Sequence, residues 1–285
     1  MANEKVYEIV TDRILQALEK GVVPWHKPWT GGGLPASLKT KKEYRGINVF
    51  LLAFTPHKSR FFLTYKQAEA LGGHVKKGEK GYPIIFWTFI DKDKEDSDKK
   101  KKIPLLRYYT VFNLEQCEGI PLPKEEQEET TKREHNPIKA AEAIIAGYDD
   151  CPTIGHNEQR AYYCPSLDTV NLPVPESFEN AEAYYATAFH ELSHSTGHEK
   201  RLDRKISGSF GSHAYGEEEL IAEMSAAYLC ALAGIDNSTI ENSAAYIESW
   251  RKSIKENVKL VVSAAGKAQK SADYIIGKTF EEEED

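Results

Sequence analysis

The stretch HELSH, residues 190–194, lies inside a run from Ala181 to Ser195 whose apolar residues recur at helical spacing. No other short feature narrows the fold as far. Positions i and i+4 stand one turn apart on the same face of an α-helix, so His190 and His194 reach one cation only if this segment is helical. Glu191, beside the first His, is then placed to handle the proton of a metal-bound water, and the three together are the core of a zinc hydrolase site. Ser177 or Asn180 can cap the helix, Tyr185, Phe189 and Leu192 form its apolar stripe, and Gly197 suits its end.

Zinc in a hydrolytic site takes three protein ligands and keeps one position open. Glu219 and Glu223 sit one turn apart in EEELIAEMSAAYL, residues 217–229, which reads as a second helix with Leu220, Met224 and Tyr228 as its stripe. Glu219 is expected as the third ligand. Glu223 is expected to hydrogen-bond a ligand imidazole and fix its orientation, with the swapped assignment as the alternative. His198 competes, but the pattern HExxHxxGxxH would put the third His at Lys200, so His198 reads as a residue just past the helix end. His213 and Tyr215 fall in the Gly/Ser-rich turn before the second helix, and Tyr215 is the candidate for stabilising an oxyanion. The expected metal is Zn2+, or another divalent cation accepted by the same donors.

The 285 residues suffice for two modest domains. No apolar run approaches the ~20 residues of a membrane span. The N-terminal MANEKVYEIV lacks the basic and apolar regions of a signal peptide, so a cytoplasmic location with no membrane partner is expected. Cys117, Cys151, Cys164 and Cys230 show no CxxC pairing and read as small buried residues or free thiols of a reducing compartment. The formal charge of −7 conceals a division: residues 1–124 carry 22 Lys+Arg against 14 Asp+Glu, and the remainder carries 15 against 30. A basic half joined to an acidic one points to a polyanion partner for the first.

Along the chain, Val6, Val10, Ile14 and Leu18 mark a first helix ended by Gly21 and Pro24. A short helix is expected over 64–71, strands over 82–90 and 105–112 pairing as a hairpin, and the charged run 91–102 as its solvated tip. Residues 122–136 are nearly devoid of apolar side chains and divide the chain into a domain 1–124, a linker 125–136 and a domain 137–285. In the second half, a helix over 137–146, strands at 161–163 and 169–172, and closing helices at 242–250 and 254–274 are expected.

Trp25, Trp29, Tyr44 and Tyr65 lie close in sequence to Lys27, Arg45, Lys66, Lys76, Lys77 and Lys80, with Asn48 in the same region. Bases stack on aromatic faces while cations track phosphates, so this mixture suits single-stranded DNA. The competing reading makes Trp25 and Trp29 core residues between prolines.

Several segments carry a family resemblance. In the first half they are PWHKPW (24–29), YRGIN (44–48), TYKQAEALGGHVKKGEKG (64–81) and VFNLEQCEG (111–119). In the second they are AYYCPSLDTVNLP (161–173), FHELSHSTGHEKRLDR (189–204), YGEEELIAEMSAAYL (215–229) and AAYIESW (244–250). Together they resemble the ArdC-like antirestriction proteins of plasmids and mobile elements. The resemblance implies an α+β chain of two domains, an N-terminal mixed α/β domain binding single-stranded DNA and a C-terminal zincin-like metallopeptidase domain. It also implies His190 and His194 as ligands, Glu191 as the catalytic carboxylate and the segment 218–223 as the source of the third ligand. Ser195 stands where relatives often carry a bulky aromatic, which alters the expected pocket wall. Three functional readings follow: an antirestriction protein with a working peptidase site, a DNA-protection protein acting by occupancy with a structural or vestigial metal, and a metalloprotease cleaving a regulatory protein.

Overall fold

The computed structural model describes residues 2–26, 33–53, 55–92, 101–121, 123, 137–204, 213–235 and 244–278. Helix α1 (Ala2–Glu19) buries Val6, Val10, Ile14 and Leu18 on one face, as their spacing requires, and Gly21 turns the chain away at φ 73. A two-residue strand β1 (Ala36–Ser37) leads to helix α2 (Ile47–Ala53), which the sequence reading omitted. Its sequence, INVFLLA, has no polar face to create a period, because α2 is covered on several sides. Strand β2 (Phe61–Leu63) precedes helix α3 (Tyr65–Ala70), which starts at Thr64 with a capping box closed by Gln67. Then follow β3 (His74–Val75), the long pair β4 (Tyr82–Lys92) and β5 (Lys101–Asn113), and β6 (Cys117–Glu118), which pairs with β3. The main sheet has the order β1-β2-β5-β4, parallel between β1 and β2 and antiparallel elsewhere.

The second half opens with α4 (Pro137–Ala146) and a three-stranded sheet of β7 (Thr153–Gly155), β8 (Tyr162–Cys164) and β9 (Thr169–Asn171), ordered β7-β9-β8. The expected strands around Pro165 are there, and β7 is an addition pairing parallel to β9. Four helices complete it: α5 (Ala181–Ser195), α6 (His213–Ala233), α7 (Ala244–Glu256) and α8 (Leu260–Ile275). The break between the last two falls at residues 257–259, several residues beyond the expected one. From Leu220 to Cys230 every side chain of α6 is buried, so this helix is the central one and its apolar residues surround it. Among the described residues no helix is long and apolar enough to cross a membrane, and all four cysteines are unbridged.

One apolar core contains residues of both halves. Trp25 meets Trp250 edge to face at 5.3 Å, and Phe50 lies against Tyr228 at 4.9 Å. Polar contacts follow the same seam. Arg45 pairs with Asp273, the Gly46 N–H donates to Gln269 Oε1 at 3.1 Å, and the Tyr228 hydroxyl donates to the Gly46 carbonyl at 2.8 Å. Gly46 sits at φ 56, a left-handed conformation that turns both of its backbone groups towards the second half.

Candidate metal centre

Helix α5 begins where its sequence says it should: the Asn180 side chain accepts from the Ala183 N–H at 2.8 Å. It ends at Thr196, and Gly197 is not in the left-handed conformation expected of a terminating glycine. The chain instead returns through turns that place Arg201 and Arg204 beside the helix. His190 and His194 project from one face of α5, and their Nε2 atoms lie 3.2 Å apart. Helix α6 crosses there and offers Glu219, whose two carboxylate oxygens stand 3.6 Å from His190 Nε2 and 3.4 Å from His194 Nε2.

The donor set fits a divalent cation. Ligands at ~2.05 Å around a tetrahedral ion stand about 3.3 Å from one another, the spacing these nitrogens and oxygens already have. Ligand atoms of His190, His194 and Glu219 all lie within 4.8 Å of one another. The pocket also favours positive charge. Burial alone would lower the His194 imidazole pKa, but the carboxylates of Glu218, Glu219 and Glu191 outweigh it and hold the pKa at about 10. Glu191 is itself buried on α5.

Glu223, one turn beyond Glu219, stands on the other side of His190, with its Oε1 3.7 Å from Nδ1. That nitrogen is buried and has no hydrogen-bond partner among the described residues. His194 has a corresponding carboxylate that the sequence reading did not single out: Glu218 Oε1, 3.5 Å from its Nδ1. Arg204 holds Glu218 by two hydrogen bonds, at 2.7 and 3.1 Å, and also donates to the Ser193 carbonyl and the Thr196 hydroxyl. Burial would raise the Glu218 pKa, yet His194 and Arg204 bring it below the usual carboxylate value. Glu218 could have been flagged only as one more member of an acidic run. Its role depends on which turn of α6 meets α5.

Of the other candidates, Tyr215 lies in the first turn of α6 and its side chain is outside the described residues, as is that of His213. His198 Nδ1 accepts from the Lys200 N–H at 3.2 Å and is not among the converging ligands. Ser195 is buried, donating to the Leu192 carbonyl, and the hydroxyl of Tyr148, just past the end of α4, lies 3.2 Å from its own.

The residues proposed for DNA from sequence divide sharply. Trp25 is fully buried and is corrected to a core residue, because its indole fills the seam against Trp250 and Phe50. Lys27 and Trp29 lie outside the described residues. Tyr44 packs edge to face on Phe62, with a hydroxyl pKa pushed up to about 12 by burial, and Arg45 is committed to Asp273. Asn48 clamps the edge of β4: its Oδ1 accepts from the Ile85 N–H and its Nδ2 donates to the Ile85 carbonyl. Lys76 donates to the Glu115 carbonyl. Tyr65, Lys66, Lys77 and Lys80 are exposed. Exposed rings that sequence reasoning missed stand on β4 and β5: Phe86, Trp87, Tyr108 and Tyr109. Alternation in a strand implies one covered face, so their exposure on both faces was not legible.

Residues 139–267 match a family of zincin-like metallopeptidases, and residues 4–112 match the N-terminal domain of the anti-restriction factor ArdC. Two crystal structures of the antirestriction ArdC protein from plasmid R388 superpose with TM-scores of 0.77 and 0.78. One is metal-free and the other Mn(II)-bound, at 38% and 37% identity, and each match covers 94% of this chain and 96% of that one. An Escherichia coli DNA primase TraC is 38% identical over 95% of this chain, which spans only 27% of that primase. An uncharacterised protein of Sinorhizobium fredii is 36% identical over 95% of this chain and 91% of its own length. The two helices that bring His190, His194 and Glu219 together thus sit in a chain that matches ArdC along nearly its whole length, and the protein belongs to the ArdC antirestriction family.

Proposed function

We propose that this protein binds single-stranded DNA through its first half and carries a metal-dependent peptidase-type site in its second. The observation that carries the enzymatic part is the convergence of two imidazole nitrogens and one carboxylate at the mutual spacing of ligands around one cation. His190, His194 and Glu219 would hold the ion; Zn2+ suits these donors, and the Mn(II)-bound structure of the R388 relative supports a divalent metal more broadly. When bound, such a cation polarises a peptide carbonyl and makes water more acidic.

The remaining steps belong to the chain. Glu191 accepts the proton of the attacking water and passes it to the departing amine, a role that suits a carboxylate adjacent to the first ligand His. Glu223 and Glu218 stand behind the rings of His190 and His194, near their Nδ1 atoms, and orient Nε2 as the ligand atom of each. Tyr215 is assigned to the developing oxyanion. The DNA part is supported by the match to the ArdC N-terminal domain and by the excess of basic residues in the first half.

The test uses purified full-length protein. Wild type and Glu191→Gln should bind Zn2+ or Mn2+ equally by calorimetry, His190→Ala should not, and only wild type should cleave casein as a general probe. Protection of DNA from a restriction enzyme is then compared. If Glu191→Gln protects as well as wild type, hydrolysis is not the means of protection; if wild type binds neither metal, the enzymatic assignment falls.

A further inference from the structure

Strands β4 and β5 pair at eleven positions, from Tyr82 opposite Val111 to Lys92 opposite Lys101. Their ends nearest the sheet are covered: Val111 is buried, and Tyr82 and Ile84 pack on the small cluster built from Leu52 and Phe62. Further along, cover is lost. Phe86 is 43% exposed and Tyr109 38%, and the two rings stack at 4.6 Å with planes 18° apart. In register, Phe86 stands opposite Arg107 and Ile84 opposite Tyr109, so Phe86, Arg107 and Tyr109 share one face of the ribbon. Two large rings exposed side by side offer a flat apolar surface to a partner.

Charge decides what that surface takes. Arg107 makes no ion pair or side-chain hydrogen bond with the described residues, whereas Arg45, Arg60, Arg160, Arg201, Arg204 and Arg251 each pair with a carboxylate. Arg107 is the one charged residue in the stretches 82–90 and 103–113 that flank the rings. A second copy packed on the same face would bring its own Arg107 against this one, and an apolar protein surface would leave Arg107 unpaired. A polyanion with flat, unpaired bases satisfies both the rings and the guanidinium.

We propose that the face formed by Phe86, Tyr109 and Arg107 is the base-stacking platform of this protein for single-stranded DNA. This rests on the reading that the first half binds such DNA, and it moves the contact from the tryptophan-containing loop to the hairpin. A base stacks on the exposed side of the Phe86–Tyr109 pair, and Arg107 meets the adjoining phosphate.

The experiment measures binding of a fluorescently labelled oligothymidylate to the full chain by anisotropy across a salt series. Phe86→Ala with Tyr109→Ala should weaken binding about tenfold or more, the loss of at least one stacked base. Phe86→Tyr with Tyr109→Phe should restore it. Arg107→Ala should lower the salt dependence by about one counterion. If the double variant melts early, Arg107→Glu, at an exposed side chain without partners among the described residues, carries the test by its loss of affinity and salt slope. Wild-type binding that survives the double substitution, or that is lost instead in Tyr108→Ala on the opposite face, overturns the platform and leaves the single-strand reading standing. A change in oligomeric mass without a change in DNA affinity assigns the face to a second copy and likewise overturns it. Wild type that does not bind at low salt removes both.

Discussion

Glu218→Gln is the most informative change at the metal centre, because it preserves shape and removes one charge, the carboxylate that His194 shares with Arg204. Glu218 is largely covered, lying between His194 Nδ1, 3.5 Å away, and Arg204, which donates to both of its oxygens. A carboxylate in that place favours the ring form with Nδ1 protonated and Nε2 bare, the form that binds a cation. Carboxylates of this kind are worth about 10- to 100-fold in metal affinity, or about 1.4 to 2.7 kcal/mol. Glutamine still accepts one hydrogen bond from Arg204, and Arg204 keeps the Ser193 carbonyl and the Thr196 hydroxyl, so the fold should persist. Calorimetric titration with Zn2+ and Mn2+ should give the affinity loss directly. At a fixed metal concentration the metal-induced rise in Tm should shrink by a few degrees, as linkage requires. Affinity within about twofold of wild type would refute the orienting role of Glu218, since it lies below the range for such carboxylates. A loss in Glu223→Gln alone would mean that only His190 is oriented from behind.

Two further outcomes test the frame. Asn48→Ala should cost about 2 to 4 kcal/mol in urea denaturation, because it strips partners from both backbone groups of Ile85, at 2.6 and 2.8 Å, on the edge of β4. A loss below about 0.5 kcal/mol would mean that water replaces the clamp. Asp168 supplies a pH dependence: partial burial raises its pKa, but Arg201 and Tyr163 outweigh that and hold it below the usual carboxylate value. A folded-state pKa that is depressed stabilises the fold above the unfolded pKa of about 3.9, and this stability is lost as pH falls through the folded value. Asp168→Asn should therefore flatten the acid limb of the stability curve. An unchanged limb would show that the Arg201 pair does not contribute there.

What could be read from the residues alone was local. An i, i+4 pair of histidines, a cap at Ser177 or Asn180, the short helix from Thr64 and the hairpin of β4 and β5 depend on neighbours a few positions away, so spacing and turn residues expose them. The structure contains each of these elements near its expected place. Helix α2 escaped because burial on several sides erases the pattern that reveals a helix, and β1, β3 and β6 are two residues long.

Tertiary structure decided everything that depends on which faces meet. The crossing of α5 and α6 sets Glu219 against the two Nε2 atoms and directs Glu218 and Glu223 to opposite Nδ1 atoms. One-turn spacing within EEELIAE ranks Glu219 and Glu223, but nothing in it puts Glu218 behind His194 until a second helix lies across them. The same holds for the first half. YRGIN has the composition of a nucleic-acid loop, yet Arg45, Gly46 and Asn48 are engaged by Asp273, Gln269, Tyr228 and Ile85. Rings on the hairpin remain exposed instead. Sequence determines which side chains share a helical turn or a strand face; partners hundreds of residues apart, and the exposure that is left over, are set only when the elements pack.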